Sequence, residues 1–123
     1  MNKEELQRRT QLFAIAVIKF VELLPSNSTT NILTKQLIRW ATSIGANYRS
    51  ACKGKSKADF INKIIIVEEE ADEAIYWLEL IENTVKTSLP EIFILKKEAN
   101  ELTAIFTAIG KTAKQNQLIK KSI

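Results

Sequence analysis

The sequence predicts an all-α, antiparallel up-down-up-down four-helix bundle, and three observations predict it. Apolar residues recur every three or four positions through four long stretches, which is the spacing of one helix face. Only three Gly and two Pro interrupt the 123 residues, so the elements must be long. The breaks are short polar segments around Pro25, Gly54 and Pro90, and short connections force neighbouring helices to run antiparallel.

The first helix is predicted over about residues 3–24. Leu6, Phe13, Val17, Phe20 and Leu24 step by three and four, apart from a gap at Thr10. Pro25 ends it, and Ser26-Asn27-Ser28-Thr29-Thr30 is rich in N-cap residues. The second helix covers about 30–52, with Leu33, Leu37, Trp40, Ile44, Tyr48 and Ala51 as its stripe. Gly54 suits a left-handed C-cap, and Lys53 and Lys55 complement the negative end of the helix.

Ser56 to Asp59 resembles a capping box that opens a third helix over about 57–85. Phe60, Ile64, Val67, Ala71, Ala74, Leu78, Ile81 and Val85 alternate steps of four and three, a heptad seam. Ile61, Ile65, Ile75 and Trp77 lie off the seam, so more than one face should be covered. Ile64-Ile65-Ile66-Val67 looks strand-like alone, but the flanking heptad decides for helix. Ser88-Leu89-Pro90-Glu91 is a further cap signature, with Pro tolerated in the first turn. The fourth helix, about 89–114, carries Ile92, Leu95, Ala99, Leu102, Phe106, Ile109 and Ala113. Gly110 weakens its end, and 115–123 is predicted as a frayed or partner-dependent tail. Helices of this size are about 30–45 Å long at ~1.5 Å per residue.

The length fits a single domain, 1–123. No apolar run is long enough to span a membrane, and the polar Met1 to Thr10 lacks the apolar core of a signal peptide. A cytoplasmic location is expected, and the lone Cys52 agrees with a reducing compartment. There is no His. That excludes Ser-His-Asp and Cys-His nucleophile systems and the Glu-x-x-His ligands of carboxylate-bridged metal bundles. No cofactor is expected, and no catalytic or metal-binding residue is assigned.

Net charge is +4, but it is segregated. Lys35 to Lys63 holds seven basic residues against Asp59 alone; Glu68 to Glu82 holds seven acids and no base; Lys111 onward holds four Lys and no acid. Such blocks predict polar ends or faces of the folded chain.

Three patches are candidates for chemistry. Glu69, Glu70 and Glu73 share a helix face and could form an acid pair or a divalent-metal site. A solvated face, or acids paired with a neighbouring helix, is the simpler reading. On helix two, Arg39, Ser43, Ala46, Asn47 and Ser50 form a small polar stripe around mid-helix Gly45. Small residues there fit either tight packing inside the subunit or a subunit or ligand contact. At its end, Tyr48, Arg49, Lys53, Lys55 and Lys57 set one aromatic among cations, a patch able to hold phosphates. Arg39 and Lys63 complete the candidate nucleic-acid-binding set. Trp40 and Trp77 read as core or interface anchors, and Cys52 as a small semi-buried residue. The apolar surplus of helix three predicts self-association.

The run Leu37-Ile38-Arg39 through Ser43-Ile44-Gly45-Ala46-Asn47-Tyr48-Arg49 resembles the signature of the 23S rRNA intervening-sequence proteins. These are bundles encoded within insertions of bacterial large-subunit ribosomal RNA. The spacing to Asp59-Phe60-Ile61 and Lys63 is similar, as is Glu70-Ala71-Asp72-Glu73 with Tyr76-Trp77-Leu78. The resemblance covers nearly the whole chain and marks Arg39, Ser43, Gly45, Asn47, Tyr48 and Arg49 as signature positions. It implies a four-helix bundle assembled into a ring-like homopentamer. A related branch implied by it is the accessory protein of diversity-generating retroelements, which binds nucleic acid and a reverse transcriptase. The expected function is a non-enzymatic oligomeric bundle that binds structured RNA or other nucleic acid through clustered Lys and Arg. The alternative is a protein-interaction scaffold, accessory to a partner enzyme.

Overall fold

The computed structural model describes residues 1–85 and 89–122, the side chains of 119–122 excepted. Four helices follow one another: α1 (Lys3–Glu22), α2 (Ser28–Cys52), α3 (Lys57–Thr84) and α4 (Glu91–Ser122). There is no strand among the described residues. Each helix packs on its chain neighbours, and α4 closes the arrangement against α1.

The starts follow local capping chemistry. Asn2 accepts a hydrogen bond from the Glu5 amide at 2.8 Å, and Asn27 accepts one from the Thr30 amide at 2.9 Å. Ser56 caps α3 as its sequence predicts, accepting from the Asp59 amide at 3.1 Å. Each such cap satisfies an amide that the helix itself cannot and is worth about 1 kcal/mol. The predicted Ser88 cap lies outside the described residues.

Two glycines behave differently from expectation. Gly54 is not left-handed: no described glycine has positive φ. Lys53 is the C-cap of α2, at φ −101°, and the turn closes through the Gly54 amide donating to the Ala51 carbonyl at 3.0 Å. What Gly54 supplies is room, since a Cβ there would lie 3.0 Å from both Ala51 O and Asp59 Oδ2. Gly110 does not end α4. The helix continues through the segment predicted as a tail, because one Gly costs only ~1 kcal/mol and the residues after it contain neither Gly nor Pro.

The core is a single cluster along the bundle axis. The α3 seam is buried as its heptad requires, except that Phe60 is half-buried and Ile61 takes the inward place. Ile75 is buried off the seam as well, so α3 is covered on more than one face. On α2, Leu33 and Trp40 are only half-buried, while Thr30, Thr34 and Ala41 are inside. The gap at Thr10 in α1 is also core: the residue is fully buried, and its hydroxyl donates to the Gln7 carbonyl at 2.9 Å. Thr10 sits against Gly45, whose added Cβ would meet Thr10 Oγ1 at 3.1 Å. Mid-helix Gly45 thus lets α2 approach α1 closely at Thr10. Across the centre, Tyr48 of α2 meets Phe106 of α4, with ring centroids 5.2 Å apart and tilted by 59°.

A fork of hydrogen bonds ties α1 to α4. Arg9 donates to Glu98 at 2.8 and 2.6 Å and to Glu101 at 2.9 Å. These bonds, the one to Glu98 first, raise the arginine above its already high pKa.

Candidate nucleic-acid interface

The α2–α3 turn is the basic end of the molecule. Lys53, Lys55 and Lys57 are exposed there, and Arg49 is exposed one turn up α2. Among the described residues, Arg49, Lys53 and Lys55 have no ion-pair partner. Because α4 runs antiparallel to α3, its C-terminal part returns to this turn. Gly54, Lys55, Ser56, Lys57 and Phe60 line a cleft of about 420 Å³ with Ala113 and Asn116 of α4. Lys111 and Lys114, both exposed, flank that wall. A base-rich turn and a base-rich helix end, distant in sequence, therefore form one basic pole.

Not every candidate residue belongs to it. Lys63 is paired with Asp59 at 3.4 Å, one helical turn away, so much of its charge is already matched. Arg39 lies ten residues before Arg49 in α2, about 15 Å along the axis at ~1.5 Å per residue. Its guanidinium stands 5.3 Å from the centroid of the Trp40 ring, a cation–π contact. Tyr48 is core and not a surface aromatic among cations: it is 5% exposed. Burial first, then contact with Cys52, raises its phenol well above the ordinary value.

The polar stripe of α2 divides between two neighbours. Gly45 turns to α1, whereas Asn47 turns to α3. The Asn47 side-chain amide donates to both carboxylate oxygens of Glu70, each at 2.9 Å. Glu70 is the buried acid of the acidic segment, with 6% of its surface exposed. Burial raises its pKa, hydrogen bonds from Asn47 and Ser43 pull it down, and the charge of Glu69 adds to the rise. The Ser43 hydroxyl, nearby, donates to the Arg39 carbonyl at 2.7 Å. Glu70 is therefore neither solvated nor paired with a basic residue of the next helix. It is held by a neutral amide.

Glu69 and Glu73, exposed, line a cleft of about 420 Å³ with Glu70, Asp72, Ile66 and Trp40. Among the described residues no three of His, Cys, Asp and Glu converge as metal ligands. Trp77, half-buried, packs edge-on against Tyr76 at 5.2 Å, and its indole N–H has no acceptor among the described residues. No described helix is long and apolar enough to cross a membrane.

The profile of the 23S rRNA-intervening sequence proteins matches residues 2–108. The chain belongs to this family. A crystal structure of a protein of unknown function from the S23 ribosomal protein family of Bacteroides thetaiotaomicron VPI-5482 is similar. It shares 32% identity with a TM-score of 0.81, over 90% of this chain and 99% of that one. No curated protein matches the chain. The family match takes in the signature positions, the basic turn and Glu70, and stops before Lys111 and Lys114. Within the family signature, Asn47 thus bonds to α3, and Arg49, two positions on, is exposed.

Sequence reasoning missed Lys111 and Lys114 as members of the pole. The charge count after Lys111 was the available signal, but only the antiparallel return of α4 brings it to the turn. It also missed the Asn47–Glu70 pair, which joins two helices 23 residues apart. No local spacing marks such a pair.

Proposed function

We propose that the protein is a non-enzymatic homo-oligomeric bundle that binds structured RNA or other nucleic acid through its basic pole. One observation carries this reading: Arg49, Lys53 and Lys55 are exposed together at the α2–α3 turn with no acid matching them among the described residues. Unmatched cations at one end favour a polyanion, because each phosphate neutralised releases a counterion. Membership in a family described by its ribosomal RNA insertions supports RNA as the partner.

Self-association is supported by the α1–α4 face. Leu12 of α1 and Ile94 of α4 are exposed there, Ile94 by 67%, and Ile15, Ile18 and Phe93 elsewhere on the same two helices are exposed as well. Leu12, Ala16 and Ile94 help line a groove there of about 370 Å³. A second copy would remove this apolar surface from water, and a ring, pentameric by family resemblance, is the form proposed. The same face favours a second reading, a scaffold that docks a partner enzyme such as a reverse transcriptase without touching nucleic acid.

The deciding experiment compares wild type with the Lys53→Gln, Lys55→Gln, Lys57→Gln triple variant. Binding to a labelled structured RNA is followed across a salt series, with duplex DNA as control. The expected result is weaker binding with a salt slope shallower by about 0.7–0.9 per lysine. Unchanged affinity and slope would remove the turn as the site. Absence of wild-type binding at low salt would favour the scaffold.

A further inference from the structure

A second basic feature opens beside the pole. A trough of about 560 Å³ runs between α1 and α2. Its floor is low because α2 presents Gly45 and Ala46 there, and Ala46 is exposed. Gln7 and Gln11 of α1 line it with amides, and Arg8 and Arg49 stand at one end. Glu4 is the one acid among the lining residues. The Thr42 hydroxyl at the other end is already committed to its own helix, donating to the Ile38 carbonyl at 2.7 Å.

The two arginines are the informative part. Arg8 and Arg49 are exposed, and neither has an ion-pair partner among the described residues. Arg9, next to Arg8, is locked to Glu98 and Glu101 on the far side of α1. Adjacent arginines thus do opposite things, one closing the bundle and the other leaving its donors open. A guanidinium presents planar paired donors that match phosphate oxygens better than an ammonium does.

Geometry selects the ligand. Thr42 to Arg49 spans about 10 Å of helix at ~1.5 Å per residue. That is room for about two successive phosphates of a backbone lying along the groove. Arg49 leads through Lys53 to the turn, so the trough continues the pole.

We propose that this trough seats the sugar-phosphate backbone of a single-stranded segment of nucleic acid, with Arg8 and Arg49 clamping successive phosphates. The proposal rests on the nucleic-acid reading above and adds Arg8 and the α1–α2 trough to it.

The test uses the full chain and a labelled single-stranded RNA of about twelve nucleotides, within the usual range of single-strand site sizes. Wild type, the Arg8→Gln, Arg49→Gln double variant and Ala46→Glu are titrated across a salt series. Thermal unfolding and sedimentation of each variant check fold and assembly. The double variant is expected to flatten the salt slope by roughly 1.4, at about 0.7 per phosphate of a single strand, and to weaken low-salt binding at least about tenfold. Ala46→Glu, an exposed change that raises and charges the floor, is expected to weaken binding while unfolding as wild type does. If wild type binds the strand and both variants keep its affinity and slope, the trough is overturned while the pole stands. If the variants lose assembly but bind the strand normally, the trough is a protein contact and the proposal falls. If wild type binds no nucleic acid at all, the broader reading falls and takes the trough with it.

Discussion

The acidic middle of α3 and the basic pole are built from charge in opposite ways. In the middle, Glu70 is drawn inside, where burial disfavours its charge and the neutral Asn47 amide donates to both its oxygens. At the pole, Lys53 and Lys55 stay in water with no partner among the described residues. Asn47 and Arg49, only two residues apart, serve these different ends. A helix turns 100° per residue, so neighbours in a signature need not share a task. A signature run can be half engaged within the bundle and half left open to solvent.

The largest effect is expected at Asn47. Asn47→Ala leaves a buried carboxylate without its amide donor, and the expected loss is about 2–3 kcal/mol at neutral pH. The loss must shrink in acid. The folded pKa of Glu70 is raised above its ordinary 4.5, so the folded state holds the proton more tightly than the unfolded chain does. Stability contributed by the neutral form is full below 4.5 and is lost as pH rises through the raised value. Denaturant unfolding at neutral and acid pH reads both quantities. An equal loss at both would mean that Asn47 acts through packing and not through the charge of Glu70.

The two helical glycines should respond in opposite directions to an added methyl group. Gly45→Ala places a Cβ 3.1 Å from Thr10 Oγ1, and the fully buried Thr10 is held by its bond to the Gln7 carbonyl. Crowding is expected to outweigh the helix-propensity gain, for a net loss of about 1 kcal/mol. Gly110→Ala meets Ile64 Cγ2 at 3.4 Å, an ordinary contact. There the gain of about 0.5–1 kcal/mol should appear undiminished as a higher melting temperature.

The smallest stability effect belongs to the pole. Replacing Lys53, Lys55 and Lys57 by Gln should shift unfolding by no more than about 0.5 kcal/mol. A larger loss would show that these side chains hold the turn together, and the contrast with Asn47 would vanish.

Much of the fold was legible because it is periodic. The α3 seam, the Ser56 cap and the breaks at Pro25 and Pro90 all follow from local rules. Thr10, Thr34 and Ala41 were not legible as core, since small or hydroxylated side chains are admitted by tight helix contact, which periodicity does not report. Gly54 was misread because Gly is the usual left-handed cap, whereas here it is needed for its size. Of the candidate interface, Lys53 and Lys55 stood out as a charge run. Lys111 and Lys114 join them only through topology, and Arg8 was invisible beside Arg9 until the bundle closed and used one of the pair.

The polarity of the bundle has a kinetic consequence. The end formed by the α2–α3 turn carries Lys53, Lys55, Lys57, Lys111 and Lys114, while towards the other Glu22, Glu79, Glu82 and Glu91 are balanced by Lys19, Lys35, Lys96 and Lys97, so the positive charge sits off-centre. Such a molecule has an electric dipole along its long axis, and a distant polyanion exerts a torque on it before any contact is made. It would arrive lysine end first, and productive collisions would outnumber those of a randomly tumbling body. At physiological salt that alignment acts only within about 8 Å of the surface.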